Sequence, residues 1–194
     1  RMKSHIEEGV ISPSTPKWSN FGVKRSGTIP LPISCYILGV PDSISGIYYA
    51  NGETAMMSKL GGGVGINFSH IADGGTYLEE DDFHTNSKLD WIEATTRTSQ
   101  NVSQGSQRRG YSVPFISLLD SEFDEVLARA NKKNPDKNDP LVSNNVGVIL
   151  PIGWQEMIKK NAVIKKRYLS ALQDRISGGK IYLLDIENCN KNQS

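Results

Sequence analysis

Short apolar runs alternate with longer segments of helical spacing along this chain. Residues 33–40 are apolar and rich in β-forming types, and the run stops at Pro41, which is typical of a strand. In residues 44–60 apolar side chains recur at roughly helical spacing, and the following glycines provide a stop. The same alternation continues to the end of the chain. The pattern predicts strands at 33–40, 64–68, 111–118, 145–150 and 180–186, and helices at 44–60, 89–102, 122–129, 154–160 and 164–176.

Strands that alternate with helices predict an α/β fold with a five-stranded, mainly parallel sheet and right-handed crossovers. Periodicity leaves open whether the five strands form an open sheet or half of a closed barrel. Residues 2–9 suit the end of a helix, and the prolines of residues 12–16 predict an extended stretch from there to about Pro32. The polar residues 69–88 predict a loop.

Composition narrows the class of protein. The 194 residues, 37% of them hydrophobic, suffice for one domain with a real core. Twenty-two basic and 21 acidic residues give a net charge of +1, which argues against a dedicated nucleic-acid-binding protein. No stretch approaches the roughly 20 apolar residues of a membrane-spanning helix, and the start lacks an apolar signal core. We therefore expect a soluble, cytoplasmic protein without a membrane or nucleic-acid partner.

The chain contains two cysteines, Cys35 and Cys189, far apart and without C-x-x-C spacing. This arrangement indicates neither a disulfide framework nor a zinc site. Taken alone, Cys35 in a strand is more often a small buried hydrophobe than a reactive thiol. The carboxylates of residues 79–82 and His84 could be interpreted as a metal site, but a charge run in a loop is typical of a solvated surface. We predict no metal site.

Three informative segments occur in a fixed order along the chain. Residues 32–35 contain a thiol, and residues 59–67 and 103–110 are glycine-rich loops large enough to approach a phosphate. With further short motifs in matching order, residues 12–189 resemble the large (α) subunit of ribonucleotide reductase. The motifs are Ser14-Thr15-Pro16, Ser34-Cys35, Asp42-Ser43-Ile44, Gly62-Gly63-Val64-Gly65-Ile66-Asn67, Ser103-Gln104-Gly105 with Arg108, and Gly179-Lys180-Ile181-Tyr182.

The resemblance implies a ten-stranded α/β barrel made of two five-stranded halves, with a finger loop that carries a radical-forming cysteine. Residues 32–194 would be the first half, and residues 1–31 a lead-in with a helix end and a proline-spaced substrate-site loop. The finger-loop motif Asn-Leu-Cys-x-Glu is absent from these 194 residues. We therefore expect the second half and the finger loop to come from the remaining polypeptide, and the chain to be inactive alone.

The implied activity is reduction of ribonucleotides to deoxyribonucleotides by thiyl-radical chemistry with a redox-active cysteine pair. Cys35 would be the catalytic thiol of this chain. Whether diphosphates or triphosphates are reduced stays open, and the alternative is a non-catalytic nucleotide-binding or regulatory module of the same fold. The substrate-binding residues that the resemblance implies are Thr15, Ser34, Gly63 and Arg108.

The resemblance also implies a regulatory deoxynucleotide or ATP at a dimer interface. The implied effector-binding residues are Asp42, Ser43, Ile44 and Ala72; the alternative for the first residues of this set is a helix N-cap, and both roles can hold together. The implied specificity loop contains Ser103, Gln104, Gly105, Arg108 and Arg109. The family commonly has arginines in the first loop, whereas residues 70–76 here lack them and an acidic run follows at 79–82. Such a run repels a triphosphate unless a divalent cation bridges them.

No cofactor is expected on this chain itself. The radical source would be a di-metal partner subunit or adenosylcobalamin. The implied partners are the ribonucleotide substrate, the remaining half of the α chain, a small radical-generating subunit, a second α chain in a homodimer, and a reductant of the thioredoxin or glutaredoxin type.

Overall fold

The computed structural model describes residues 2–20, 22, 32–79, 82–102, 109–131, 138–142 and 144–191. The chain divides into two compact units, residues 1–35 and 36–194. Among the described residues of the first unit are two short helices, α1 (Met2–Glu7) and α2 (Thr15–Asn20).

Helix α2 shows that the extended stretch predicted from residue 12 to about Pro32 is wrong at residues 15–20, and residues 21 and 23–31 of that stretch lie outside the described residues. The carbonyl of Ser14 accepts hydrogen bonds from the backbone N–H groups of Lys17 and Trp18 and so starts a helical turn. Pro16 lies in that first turn, where a backbone N–H has no partner inside the helix and its loss is tolerated. Thr15 is therefore the exposed first residue of a helix and not part of a proline-spaced loop.

The second unit contains the sheet, whose first strand begins at the last residue of the first unit. Its elements are β1 (Cys35–Gly39), α3 (Ile44–Lys59), β2 (Gly63–Asn67), β3 (Tyr77–Leu78), β4 (Phe83–His84), α4 (Lys88–Val102), β5 (Tyr111–Ser117), α5 (Phe123–Ala130), β6 (Val146–Leu150), α6 (Trp154–Lys160), α7 (Ala162–Gly178), β7 (Ile181–Asp185) and α8 (Ile186–Lys191).

All five predicted strands and all five predicted helices of this unit are confirmed, with ends that differ by one or two residues. Two features were not predicted. The polar segment 69–88 contains the antiparallel hairpin β3–β4, and β7 leads directly into the short helix α8. Strands of two residues are too short for an alternating pattern, which explains why the hairpin escapes sequence analysis.

The five long strands form one sheet in the order β1-β2-β5-β6-β7. The sheet is parallel: Gly63 is paired with Tyr111 at the start of β2 and β5, and Val146 with Ile181 at the start of β6 and β7. Each new strand is added on the same side of the preceding one. With right-handed crossovers, this order places the connecting helices on one face of the sheet.

The hydrophobic core lies between that face and the helices. Val64 and Ile66 of β2 and Ile116 of β5 point into it, and Ile92 of α4 meets them from the helical layer with no exposed surface. Burying side chains of this size stabilises a fold by roughly 1.5–3 kcal/mol each. No described helix is long and apolar enough to cross a membrane.

Strand alternation defines a second face, turned away from this core, which we call the far face. Its side chains are less buried on average, and Ile37 is 90% exposed. Glycine and aromatic residues are prominent on it. The far face comprises Cys35, Ile37, Gly39, Gly63, Gly65, Asn67, Tyr111, Val113, Phe115, Ser117, Gly147, Ile149, Tyr182 and Leu184.

Candidate functional site

Cys35 is the first residue of β1, an edge strand of the sheet next to β2. Strand alternation places its side chain on the same side of β1 as Ile37, away from Tyr36 and Leu38, which pack against the core. The thiol is free and exposed. It is thus accessible to a ligand or to another thiol and is not a buried core residue.

Cys189 lies in α8 and is also free and exposed. Ser34, next to Cys35, is partly buried. Of the predicted specificity loop, Ser103, Gln104, Gly105 and Arg108 lie outside the described residues, and Arg109 is exposed.

Glycines let the backbone approach closely at two points around the start of β2 and β5. A Cβ atom on Gly110 would lie 2.3 Å from the carbonyl oxygen of Ser58, so the chain entering β5 is pressed against the end of α3. A Cβ atom on Gly62 would lie 2.7 Å from the ring of Tyr36. Gly63 starts β2 and occupies the register position next to Tyr111. The amino ends of β2 and β5 are therefore held in place by contacts that only glycine permits.

Three polar side chains from neighbouring strands meet at the amino-terminal edge of the far face. The phenol oxygen of Tyr111 accepts a hydrogen bond from the backbone N–H of Asn145 at 2.8 Å. The side-chain amide of Asn145 donates to the phenol oxygen of Tyr182 at 2.7 Å. Burial raises the pKa of Tyr111, so its phenol stays neutral at physiological pH. We call Tyr111, Asn145 and Tyr182 the tyrosine edge.

The predicted effector residues cluster at the start of α3. Ser43 is the N-cap of this helix, and its hydroxyl accepts from the backbone N–H of Gly46 at 3.1 Å. One carboxylate oxygen of Asp42 accepts from the backbone N–H of Ala72 at 3.0 Å, across 30 positions of sequence. Ile44 is the first residue of α3. The helix-cap interpretation of Ser43 is confirmed, and Asp42 and Ala72 lie together.

The loop that contains Ala72 is fastened by acidic side chains rather than by arginines. The Asp73 carboxylate binds the Lys88 ammonium group at 2.9 Å, and the Glu122 carboxylate accepts from the backbone N–H of Gly74 at 3.2 Å. The hydrogen bond from Lys88 holds the pKa of Asp73 below its usual value. Two of the loop's backbone N–H groups, those of Ala72 and Gly74, thus donate to carboxylates of the chain itself.

Glu122 joins this loop to the start of α4. Besides Gly74, it accepts hydrogen bonds from the Ser87 hydroxyl and from the backbone N–H groups of Lys88 and Leu89. Burial favours the protonated acid, but these hydrogen bonds outweigh it and lower the pKa of Glu122. The carboxylate therefore takes the place of a capping anion at the amino end of α4.

Lys88 is the central cation of this network. Its side chain is 5% exposed and binds the buried carboxylate of Asp120 at 2.6 Å in addition to Asp73. Within the described ranges, no group of three or more His, Cys, Asp or Glu side chains is arranged to hold a metal ion.

Sequence reasoning missed both the tyrosine edge and the Lys88 network. The first could have been found by aligning the starts of the predicted parallel strands, because Tyr111, Asn145 and Tyr182 all lie within one or two residues of such a start. The second had no sequence signal, since Lys88, Asp73 and Asp120 are separated by 15 and 32 positions.

Comparison with known proteins identifies the architecture. The family profile described as "Ribonucleotide reductase, barrel domain" matches residues 33–174 of the chain. The chain belongs to the ribonucleotide reductase barrel-domain family. Its five parallel strands form half of the barrel of this family, as the sequence motifs predicted.

Individual relatives agree with this assignment. The chain is 26% identical over 149 residues to the ribonucleoside-diphosphate reductase subunit alpha of Bacillus subtilis strain 168. This match covers 77% of this chain and 21% of that protein. It is 24% identical over 186 residues to the corresponding subunit of Mycoplasma genitalium, covering 92% of this chain and 25% of that protein.

A solved structure is similar over nearly the whole chain. The class Id ribonucleotide reductase alpha subunit of Actinobacillus ureae superposes with a TM-score of 0.75 at 26% identity. The match covers 97% of this chain and 33% of that one. The chain thus spans between a fifth and a third of the length of these relatives.

Proposed function

We propose that this chain is the substrate-side half of the catalytic barrel of a ribonucleotide reductase α subunit, and that Cys35 supplies one of the two reducing thiols. The observation that carries the proposal is a free, exposed thiol at the start of the first strand of a sheet that belongs to this barrel family. An accessible thiol is what disulfide formation and exchange require.

The proposed reaction replaces the 2′-hydroxyl of a ribonucleotide by hydrogen. This step consumes two electrons and two protons, and the hydroxyl leaves as water. Cys35 and a second cysteine on the remaining polypeptide supply both electrons and both protons when their thiols join in a disulfide. A dithiol reductant of the thioredoxin or glutaredoxin type then restores the two thiols by exchange. The remaining polypeptide also supplies the thiyl radical, which a small subunit or adenosylcobalamin generates.

As the family resemblance implies, we further propose that Ser34 and the backbone at Gly63 contact the ribose or phosphates, and that Thr15 and Arg108 are additional substrate contacts. A hydroxyl and a glycine backbone suit a polar ligand at close range. A regulatory nucleotide would contact Asp42, Ser43, Ile44 and Ala72 at the interface of an α homodimer. The mutual contact of Asp42 and Ala72 supports a common site for these two residues.

The proposal is tested by replacing Cys35 in a reductase assembled from this chain, the remaining polypeptide, a radical source and a dithiol reductant. Cys35→Ser should abolish deoxynucleotide formation, because serine cannot form the disulfide. Cys189→Ser is the matched control, since that thiol is also free and exposed, and it should retain activity. Product formation by Cys35→Ser at the wild-type rate would contradict the role of Cys35. Nucleotide binding without turnover by the wild-type assembly would favour a regulatory module instead.

A further inference from the structure

The backbone of the loop at residues 69–76 already donates its hydrogen bonds to acceptors of the chain itself. Six of these eight residues use their backbone N–H groups in this way: Ser69, Ile71, Ala72, Gly74, Gly75 and Thr76. Two of the acceptors are the carboxylates of Asp42 and Glu122. A loop that binds phosphate directs its backbone N–H groups at the anion. Here a phosphate would have to displace an acceptor of the chain to reach most of them.

Positive charge is also scarce around this loop. Between Lys59 and Lys88 the sequence contains no lysine or arginine, but it contains five acidic residues, Asp73 and residues 79–82. The Lys88 side chain is 5% exposed, and its ammonium group is bound by the carboxylates of Asp73 and Asp120. A triphosphate on this segment would therefore meet several carboxylates without a lysine or arginine to offset them, and like charges at short range repel each other.

The residues at the start of α3 suit the uncharged part of a nucleotide. Asp42 is exposed, and one oxygen of its carboxylate accepts from the backbone N–H of Ala72. A carboxylate can accept further hydrogen bonds, which the hydroxyls of a sugar can donate. Ile44 is partly buried and offers an apolar side chain to a base. Since a sugar and a base carry no negative charge, the carboxylates of the loop do not repel them.

We propose that the regulatory ligand of this site is recognised by its nucleoside part, and that its phosphates contribute no affinity. The carboxylates of Asp42 and Glu122 hold the loop in the place of phosphate groups. This inference rests on the proposed function, which takes residues 42–44 and Ala72 to contact a regulatory nucleotide. It changes the class of that ligand from a triphosphate to a deoxynucleoside or adenosine, with or without phosphates.

The test uses the assembled reductase and measures the ligand concentration that gives half of the maximal change in the relative reduction rates of two ribonucleotides. Adenosine and the four deoxynucleosides are compared with their triphosphates, at low and high salt, with and without Mg²⁺. Each nucleoside should act at a concentration within about threefold of that of its triphosphate, or below it. Higher salt should lower the half-maximal concentration of the triphosphate and leave that of the nucleoside unchanged, because salt screens the repulsion.

Two variants add the same charge at exposed positions, His70→Arg in the loop and Gln173→Arg on α7. His70→Arg should lower the half-maximal concentration of the triphosphate about 10-fold without changing that of the nucleoside, since a guanidinium group binds phosphate through charge-assisted hydrogen bonds. Gln173→Arg is the matched control and should change neither value.

Three results would overturn the inference. In the wild type, a triphosphate could act at a concentration more than about 10-fold below that of its nucleoside, either directly or through bridging Mg²⁺. Higher salt could weaken the triphosphate, which would indicate attraction. His70→Arg could leave the triphosphate unchanged, which would separate the phosphates from this loop.

Failure of the proposed function gives a different result. An assembly that reduces ribonucleotides but responds to neither class of ligand would refute the regulatory site, and this inference with it, while the role of Cys35 would stand. An assembly that reduces no ribonucleotide would refute the proposed function as a whole.

Discussion

Replacement of Lys88 by methionine should be among the most destabilising single changes in this chain. Methionine keeps the length and most of the apolar stem of the lysine but removes its charge. The ammonium group of Lys88 lies 2.6 Å from Asp120 and 2.9 Å from Asp73, and the Asp120 side chain is 2% exposed. Without Lys88, the Asp120 carboxylate, which is removed from water, keeps among the described residues the hydrogen bond from the backbone N–H of Glu122 at 3.0 Å.

The expected magnitude follows from that burial. Removing one partner of a buried ion pair typically costs about 3–5 kcal/mol, because the other charge is left uncompensated. For a chain of this size, each kcal/mol corresponds to roughly 2–4 °C in the melting temperature, so the predicted loss is about 6–20 °C. Attraction to both carboxylates outweighs the effect of burial and raises the pKa of Lys88, so this stabilisation is present up to about pH 10 and is lost above it.

The assay is thermal and urea unfolding of wild type, Lys88→Met and two comparison variants. Lys159→Met removes an exposed ion pair with Glu156 at 2.7 Å and should cost no more than about 1 kcal/mol. Lys88→Met/Asp120→Asn removes the orphaned charge while the remaining oxygen can still accept from Glu122, so it should be more stable than Lys88→Met alone. If Lys88→Met loses no more stability than Lys159→Met, the assignment of Lys88 as a buried structural cation is refuted.

Two further predictions concern the far face and the acidic loop. Gly147→Ala should lower the free energy of unfolding by about 1–3 kcal/mol, because the new Cβ atom would lie 2.1 Å from the Phe115 ring. Gly52→Ala is the control and should not destabilise the fold, since its Cβ atom would meet nothing within 4 Å. Equal urea midpoints for the two variants would contradict this packing. Since the folded-state pKa values of Asp73 and Glu122 are lowered, their stabilisation is complete above about pH 5 and disappears as the pH falls through those lowered values. Glu122→Gln should therefore flatten the loss of stability between about pH 5 and pH 2, and an unchanged acid-unfolding profile would show that Glu122 is not linked to it.

The regular part of the fold could be predicted from the sequence because each long element has its own periodic signal. Strand β6 is an unbroken apolar run with all five residues buried, and α3 begins at a serine cap that the sequence displays directly. The parallel order followed from the alternation of strands and helices. The ordered sequence motifs indicated half of a barrel, which periodicity alone could not distinguish from an open sheet.

What the sequence did not reveal depends on contacts between distant positions. Thr15 and Pro16 begin a helix although prolines favour an extended prediction, because the carbonyl of Ser14 provides the first acceptors. Lys88 resembles any surface lysine in the sequence, and only the fold brings it to Asp73 and Asp120. Asp73 has no sequence signal either, yet it fastens its loop to Lys88 at the start of α4.

Two glycines of the far face make room for an aromatic ring. A Cβ atom on Gly147 would collide with the Phe115 ring, and one on Gly65 would lie 3.3 Å from it, so these two glycines make room for Phe115. Gly63 lies two residues before Gly65 on the same face and is in register with Tyr111 instead. Packing against the Phe115 ring therefore explains why positions 65 and 147 are glycine.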